Sequence, residues 1–465
     1  MISLDKIPAN ALARFDRDRA VVDDRLRITS IENNAVVPKN HLHPIIEWEV
    51  PDDYSTAFLV ELKSAKRTLD VLLRKEPRWQ PAGSEFAELL NDGEIIVTVY
   101  RLNRWLTSKS RPVRLVVSER ALTDRIIYRV VPLYFTPADP VAIKQLCLGQ
   151  PPIQLAQIER ACVGCHAYSG DSAMLNCVQY KTRKAVTAQR NAGSFRLGRH
   201  DFGQFCFVAL SPDGKYAAVV KSTSGKLVLR TGKDLSVPFD LVCKSADIYI
   251  YNFAADTLTP LPGACDPQFN EDMPWFSPDG KTIIFSRYRP DIPRILRWQA
   301  PTVKAMDLYE VPFNDGKGGA PVPVPNASAN GLHQYFARYA PNGKWMSFCR
   351  ADACKGVFVR KDSDIYLMSR NDHVVTKMSL NKNGTMDSWH DWSSDSRWLI
   401  FSSKRDRNQL TAVYLSYIDD NGKDLPPIKI ADARDGKMNT PQFVPASLDL
   451  ERAGNITDFI YGSFR

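Results

Sequence analysis

The sequence predicts an all-β chain: an N-terminal β-sandwich followed by a six-bladed β-propeller, with five blades as the alternative. Three observations carry this expectation. The chain holds 31 Pro and 24 Gly with 10 % aromatic residues, a composition suited to many short strands joined by turns. A turn followed by an apolar strand recurs through the C-terminal two thirds. Residues 24–136 carry short β-rich runs and none of that repeat.

At 465 residues the chain exceeds one ordinary core, so two or three domains are expected. Apolar content of 44 % and charged content of 24 % are those of a globular protein. The net charge is +9, but Lys and Arg are interspersed with acids along the whole length. No nucleic-acid partner is expected from that pattern; attraction to an acidic protein surface is compatible with it. No apolar run approaches the ~18 residues of a transmembrane helix. The start, "MISLDKIPANALARFDRDRA", has no basic stretch before an apolar block and so does not read as a secretory signal.

In chain order, residues 1–23 are charged and aperiodic and are expected to form an extended arm. Within 24–136, "RLRITSI", "PIIEWEV", "AFLVELK", "LDVLL", "EIIVTVYRL", "PVRLVVS" and "IIYRVVPLYF" read as strands of a sandwich similar to fibronectin type III or immunoglobulin-like modules. "GSEFAELLND" from Gly83 reads as a short helix or turn. Residues 137–160 are expected to be a linker with a possible propeller-closing strand, and 161–465 the propeller.

The repeat is "YSGDSAML" at Tyr168, "LSPDGKYAAVV" at Leu210, "FSPDGKTIIFS" at Phe276, "YAPNGKWMSFC" at Tyr339 and "WSSDSRWLIFS" at Trp392. In such a turn Pro pre-sets the first corner, Asp or Asn bonds the backbone ahead, and Gly supplies a positive φ. A second echo, "DIYIYN" at Asp247, "DLYEVP" at Asp307, "DIYLMS" at Asp364 and "AVYLSY" at Ala412, reads as the third strand of successive four-stranded sheets. Units of this kind at intervals of roughly 40 to 65 residues point to a propeller, which hides its sheet edges by radial closure. A sixth approach strand, "PQFVPASLDL" from Pro441, has too little chain after Phe443 for four strands. Residues from about Pro140 to Glu159 are therefore expected to complete it.

The "SPDGK" turns followed by "DIY" strands resemble the TolB-type propeller repeat over about residues 160–445. Within that group, "CVGCHAYSGD", "SWHDWSSDSRWLIFSSKRD" and "NTPQFVP" resemble bacterial propeller proteins carrying one c-type haem motif at the start of the first blade. That resemblance implies a TolB-like ring with one covalent haem c.

The motif chemistry points the same way. Cys162 and Cys165 supply the two thiols of the thioether links, and His166 supplies the proximal iron ligand. A zinc site needs two further Cys or His at ligand spacing, and the nearest, Cys147 and Cys177, fall in different expected elements. A redox-active C-x-x-C lacks its βαβ surroundings. Aligned on the turns, His390 takes the place of His166 and is the first candidate for the distal iron ligand; Met273, His333 and His200 rank lower. His41 and His43 in "NHLHP" read as a surface strand end, being too few for a metal. Of the other seven cysteines, Cys349 and Cys354 are close enough to staple a hairpin.

The expected function is an extracytoplasmic monohaem c-type cytochrome, acting in one-electron transfer or as the docking subunit of a redox complex. The alternative is a TolB-like binding or assembly propeller whose haem is structural or sensory. A periplasmic location follows from covalent haem attachment, and a removed leader reconciles it with the N-terminus. A peroxidase would need a distal His and Arg pair, which has no recognisable spacing here. A hydrolase would need a G-x-S-x-G elbow, which does not occur.

Overall fold

A computed structural model describes residues 2–3, 9–50, 57–74, 76–103, 106–132, 141–158, 162–169, 172–179, 182–191, 194–203, 205–221, 226–229, 240–243, 246–289, 305–352, 360–406, 410–431, 436–448 and 450. The chain divides into two compact units. One comprises Met1–Thr123, Cys147–Pro151 and Tyr414–Ala431; the other comprises Asp124–Leu146, Pro152–Val413 and Asp432–Arg465.

The first unit is built on an eight-stranded sheet. Its strands run in the order Ile2–Ser3, Thr68–Leu73, Ala57–Lys63, Glu94–Asn103, Leu106–Lys109, Val21–Val22, with Val113–Val117 pairing both Glu94–Asn103 and Ala35–Val37. A three-stranded sheet joins Arg27–Ile28, Ile46–Glu49 and Arg78–Trp79. Trp48 of the small sheet meets Phe58 of the large one edge to face, with centroids 5.3 Å apart. Such a pair adds about 1 kcal/mol to its area burial. "SEFAELL" forms the expected helix, Ser84–Leu90, burying Phe86, Leu89 and Leu90.

The N-terminal segment is not a free arm. Val21–Val22 pairs in parallel with Ser108–Lys109, and Ile2–Ser3 with Val71–Leu72. Arg17 forks onto Glu61 at 2.7 Å and Asp70 at 2.6 Å. Those paired carboxylates give the charged segment a reason to lie on the sheet that its own aperiodic sequence does not show. His41, expected at a surface strand end, is buried with neither ring nitrogen hydrogen-bonded. His43 turns its Nδ1 to the Pro81 carbonyl at 2.8 Å. Burial pushes the His41 imidazole down to about 3, with His43 adding repulsion. A base depressed in the folded state contributes stability above its unfolded value near 6.5 that is lost as pH falls toward 3. His41→Leu is therefore expected to raise stability by about 1 kcal/mol at pH 7 and by more at pH 5; equal or lower melting temperatures at pH 5 would contradict this.

The propeller is carried mainly by the second unit. Six four-stranded sheets occur among the described residues, each with its strands side by side in the order of the turns. The innermost strands of blades one to five are Cys162–Tyr168, Phe205–Leu210, Asn270–Phe276, His333–Tyr339 and Asp387–Trp392. The "DIY" echoes Asp247–Asn252, Asp307–Pro312, Asp364–Ser369 and Ala412–Tyr417 are third strands, as expected. Blade six has Lys437–Val444 innermost, followed by Arg125–Val131, Val141–Leu146 and Ile153–Ile158. This decides for six blades over five. Val141–Leu146 and Ile153–Ile158 complete the blade from within the expected stretch 140–159, and Arg125–Val131 joins them, which moves "RIIYRVV" out of the sandwich and puts the unit boundary at Thr123/Asp124. The apolar run looked like a sandwich strand because both folds bury alternate residues of such a strand.

The turns do what their sequence dictates, with serine as an added part. Ser211 Oγ donates to Asp213 Oδ1 (2.7 Å), which accepts from Lys215 N (3.1 Å), while Ser211 Oγ accepts from Tyr216 N (3.0 Å). Ser277, Asp279, Lys281 and Thr282 repeat this set, as do Ser393, Asp395, Arg397 and Trp398. The left-handed corner is Gly280 at φ 70° in blade three, and Ser396 takes it at φ 59° in blade five. A Cβ at Gly280 would meet only Pro212 Cδ, at 3.6 Å. Gly280→Ala is thus a pure backbone test and should cost about 1 kcal/mol in chemical denaturation; no measurable loss would refute the turn account.

Candidate functional site: the axial cavity

Each innermost strand breaks register once, within the five residues before the aligned aromatic or apolar residue of its turn. The breaks lie between Val163 and His166, Phe205 and Val208, Asp272 and Trp275, Tyr335 and Arg338, and Ser388 and Asp391. In blade six the break falls between Asn439 and Gln442, opposite Arg129 and Ile127. These are β-bulges, which insert one extra residue and re-aim its neighbours. At four of them a bulky residue takes the left-handed conformation: Met273 (φ 56°), Phe336 (52°), Trp389 (46°) and Thr440 (50°). Each such position costs about 1–3 kcal/mol and persists because the surrounding sheet holds it.

The bulges turn consecutive side chains onto one wall. Phe207 with Val208, Met273 with Pro274, Trp389 with His390 and Thr440 with Pro441 line a cavity of about 40 Å³, joined by His166, Phe336, Arg338 and Gln442. Phe336 packs edge to face on Phe207 at 5.7 Å. The space is that of one or two water molecules.

Three of the predicted residues meet here. His166, His390 and Met273 all line the cavity; His166 is the first residue paired after its register break, opposite Leu175, whereas His390 lies within the break that ends at Asp391. His166 lies within the innermost strand rather than ahead of it. Its imidazole is buried, and Nε2 donates to the Thr440 carbonyl at 2.9 Å. The strand backbone of Cys162 and Cys165 is described, and their side chains lie outside the described residues. His333 and His200 do not reach the cavity. His333 is buried at the start of the blade-four inner strand. His200, at the end of an outer strand of blade one, is 3.0 Å from Thr187 Oγ1, 2.9 Å from Tyr251 OH and stacked on Phe202.

His390 is 2 % exposed; Nδ1 lies 3.5 Å from Cys349 Sγ, and Nε2 has no hydrogen-bond partner. Burial, aided by the Arg338 charge, pushes its imidazole down to about 3, so the ring is neutral. Cys349 is a free buried thiol, pushed up to about 12 by burial; Cys354 lies outside the described residues. The Arg338 guanidinium lies flat on Trp275, 3.7 Å from the ring centroid, and burial lowers it to about 10. Asp391 is raised to about 6 by burial and accepts from Phe443 N at 2.9 Å, tying blade five to blade six.

Sequence reasoning found His390 through the repeat register. It missed Arg338, Phe336, Cys349 and Thr440. The signal for Phe336 and Thr440 was their position three residues before the aligned aromatic, shared with Met273 and Trp389; nothing local marked Arg338 or Cys349.

The donors fit a c-type haem: two thiols at the attachment spacing, an adjacent buried imidazole on the cavity wall, and a second neutral imidazole whose buried Nε2 has no partner there. The enclosed volume takes no macrocycle, so the fit rests on the donors and not on a preformed slot. Among the described residues no group of three or more His, Cys, Asp or Glu is placed to hold a metal ion. No helix among them is long and apolar enough to cross a membrane.

No family model matches the sequence, and no curated protein does. Among solved structures the chain is similar to TolB from Acinetobacter baumannii, at 13 % identity and a TM-score of 0.46, over 76 % of this chain and 79 % of that one. It is also similar to a putative TolB from Agrobacterium tumefaciens (14 %, 0.38, 69 % and 99 %) and to the periplasmic gluconolactonase of Pseudomonas aeruginosa (10 %, 0.37, 69 % and 99 %). The all-β propeller assignment stands on the six sheets and their ladders.

Thr440 combines a left-handed β-branched backbone with a buried Oγ1 that has no partner. Thr440→Gly keeps the carbonyl that receives His166 and is expected to gain about 1 kcal/mol. A loss of stability in urea melts would mean that the bulge is not strained.

Proposed function

We propose that this protein is an extracytoplasmic monohaem c-type cytochrome, a one-electron carrier or the docking subunit of a redox complex. The observation that carries the reading is that His166 of the C-x-x-C-H motif and His390, its counterpart when the repeats are aligned on their turns, are both buried and line one cavity. Cys162 and Cys165 would anchor the haem, and His166 and His390 would hold its iron. When bound, the group supplies one-electron exchange between ferric and ferrous iron.

The chain's own residues set the conditions for that exchange. The Thr440 carbonyl orients the His166 ring, and Cys349 lies against the far nitrogen of His390; such outer contacts fix ligand tautomer and basicity. Phe207, Met273, Phe336 and Trp389 keep the wall apolar, which raises the sensitivity of any redox centre to nearby charge. Iron held by two imidazoles would favour electron transfer over peroxide chemistry. The extracytoplasmic location is supported by the attachment chemistry, and a protein partner by the architecture of a ring with a second β-rich unit.

Absorption spectra of oxidised and reduced protein, matured in a competent export system, test this. A covalent haem c with low-spin bands in both states is expected, abolished by Cys162→Ser/Cys165→Ser and converted to high spin in His390→Ala. Absence of haem would leave a TolB-like binding propeller. An unchanged spin state in His390→Ala would remove that residue as a ligand.

A further inference from the structure

We infer that the axial cavity seats a small monoanion, a carboxylate or an inorganic anion of similar size, held by Arg338. The guanidinium stands on the cavity wall with one face covered by Trp275. Nη1 donates to the Ala337 carbonyl at 2.9 Å, while Nε is buried and has no acceptor. Among the described residues no carboxylate comes within ion-pair distance of it. Asp391 acts on it through space only, its Oδ2 being engaged by Phe443 N.

Arg338 is half-buried with its Nε shielded, and it lines the cavity with no ion-pair partner among the described residues; a partly desolvated cation of this kind favours an anion beside it. The guanidinium fork matches a planar two-oxygen anion, which it can hold bidentately. In the haem-free protein the unpartnered Nε2 of His390 is a second polar atom in the cavity lining. The cavity of about 40 Å³ is of the size of a small anion. Covering by Trp275 and the apolar bulge residues would strengthen the charge interaction by keeping water out.

The same chemistry has two sources. One is a propionate of the haem, a case that rests on the proposed function; the other is a free anion such as formate or nitrite, which does not. Calorimetric titration with formate separates them when run on protein as matured with haem, on protein made haem-free by omitting the maturation system, and on Arg338→Gln and Arg338→Lys in both forms. One formate is expected to bind the haem-free protein, at least tenfold more weakly in Arg338→Gln and less weakened in Arg338→Lys. Formate should likewise raise the melting temperature of the haem-free parent and not that of Arg338→Gln. If a propionate fills the seat, loaded protein loses formate binding and Arg338→Gln shifts its reduction potential; if the anion is free, both forms bind formate. Binding within twofold of the parent in Arg338→Gln, or none in the haem-free parent, overturns the assignment. Should Arg338→Gln fail to fold, formate affinity in Arg338→Lys equal to the parent's, with no protection by formate in either, has the same force. Haem content is measured independently on the matured protein, so failure of the haem reading and failure of the anion seat are distinguishable.

Discussion

The axis of the propeller depends on one ladder, Lys437–Val444 paired antiparallel with Arg125–Val131. It joins segments from opposite ends of the chain and makes blade six from both. Without it the ring has two open sheet edges, which radial closure exists to remove. The same ladder delivers Thr440 to His166 and the Phe443 amide to Asp391. Closure and the candidate site are therefore one structural event, and a chain that failed to close would lack the cavity rather than hold a weaker version of it.

The second constraint is the bulge. A regular innermost strand would alternate its side chains between neighbouring blades. One inserted residue per blade turns a pair of side chains inward, and the left-handed backbone at Met273, Phe336, Trp389 and Thr440 records what that costs. None of the four is Gly or Asn, the residues that take this conformation most easily. Large side chains are evidently retained there for what they line, and the cavity wall is apolar because of them. Set into that wall are two imidazoles, His166 and His390, and the Arg338 guanidinium.

Much of this was legible before any coordinates. The Ser-Pro-Asp-Gly-Lys turns report on themselves, because Ser211, Asp213, Lys215 and Tyr216 bond within five residues of one another. The third strands at Asp247, Asp307 and Asp364 followed from the same spacing. His390 was reached by aligning Trp392 with Tyr168, a step that needs only the repeat. The strand Arg125–Val131 was assigned to the wrong sheet because its alternation is common to sandwich and propeller, and its partner lies more than 300 residues away in sequence. His41 looked like a surface residue because burial is not written in a lone histidine.

By itself, then, the sequence determined the blade unit, the number of approach strands, the position of the C-x-x-C-H motif and the turn alignment that matches His166 with His390. Those features rest on local turn chemistry and on periodicity, which act over a few residues. Tertiary structure alone decided which strands close the ring, that Arg338 lines the cavity with His390, and that Cys349 lies against the imidazole of His390. Each depends on side chains from different blades converging at an axis, and convergence exists only once the ladder between the two ends of the chain has formed.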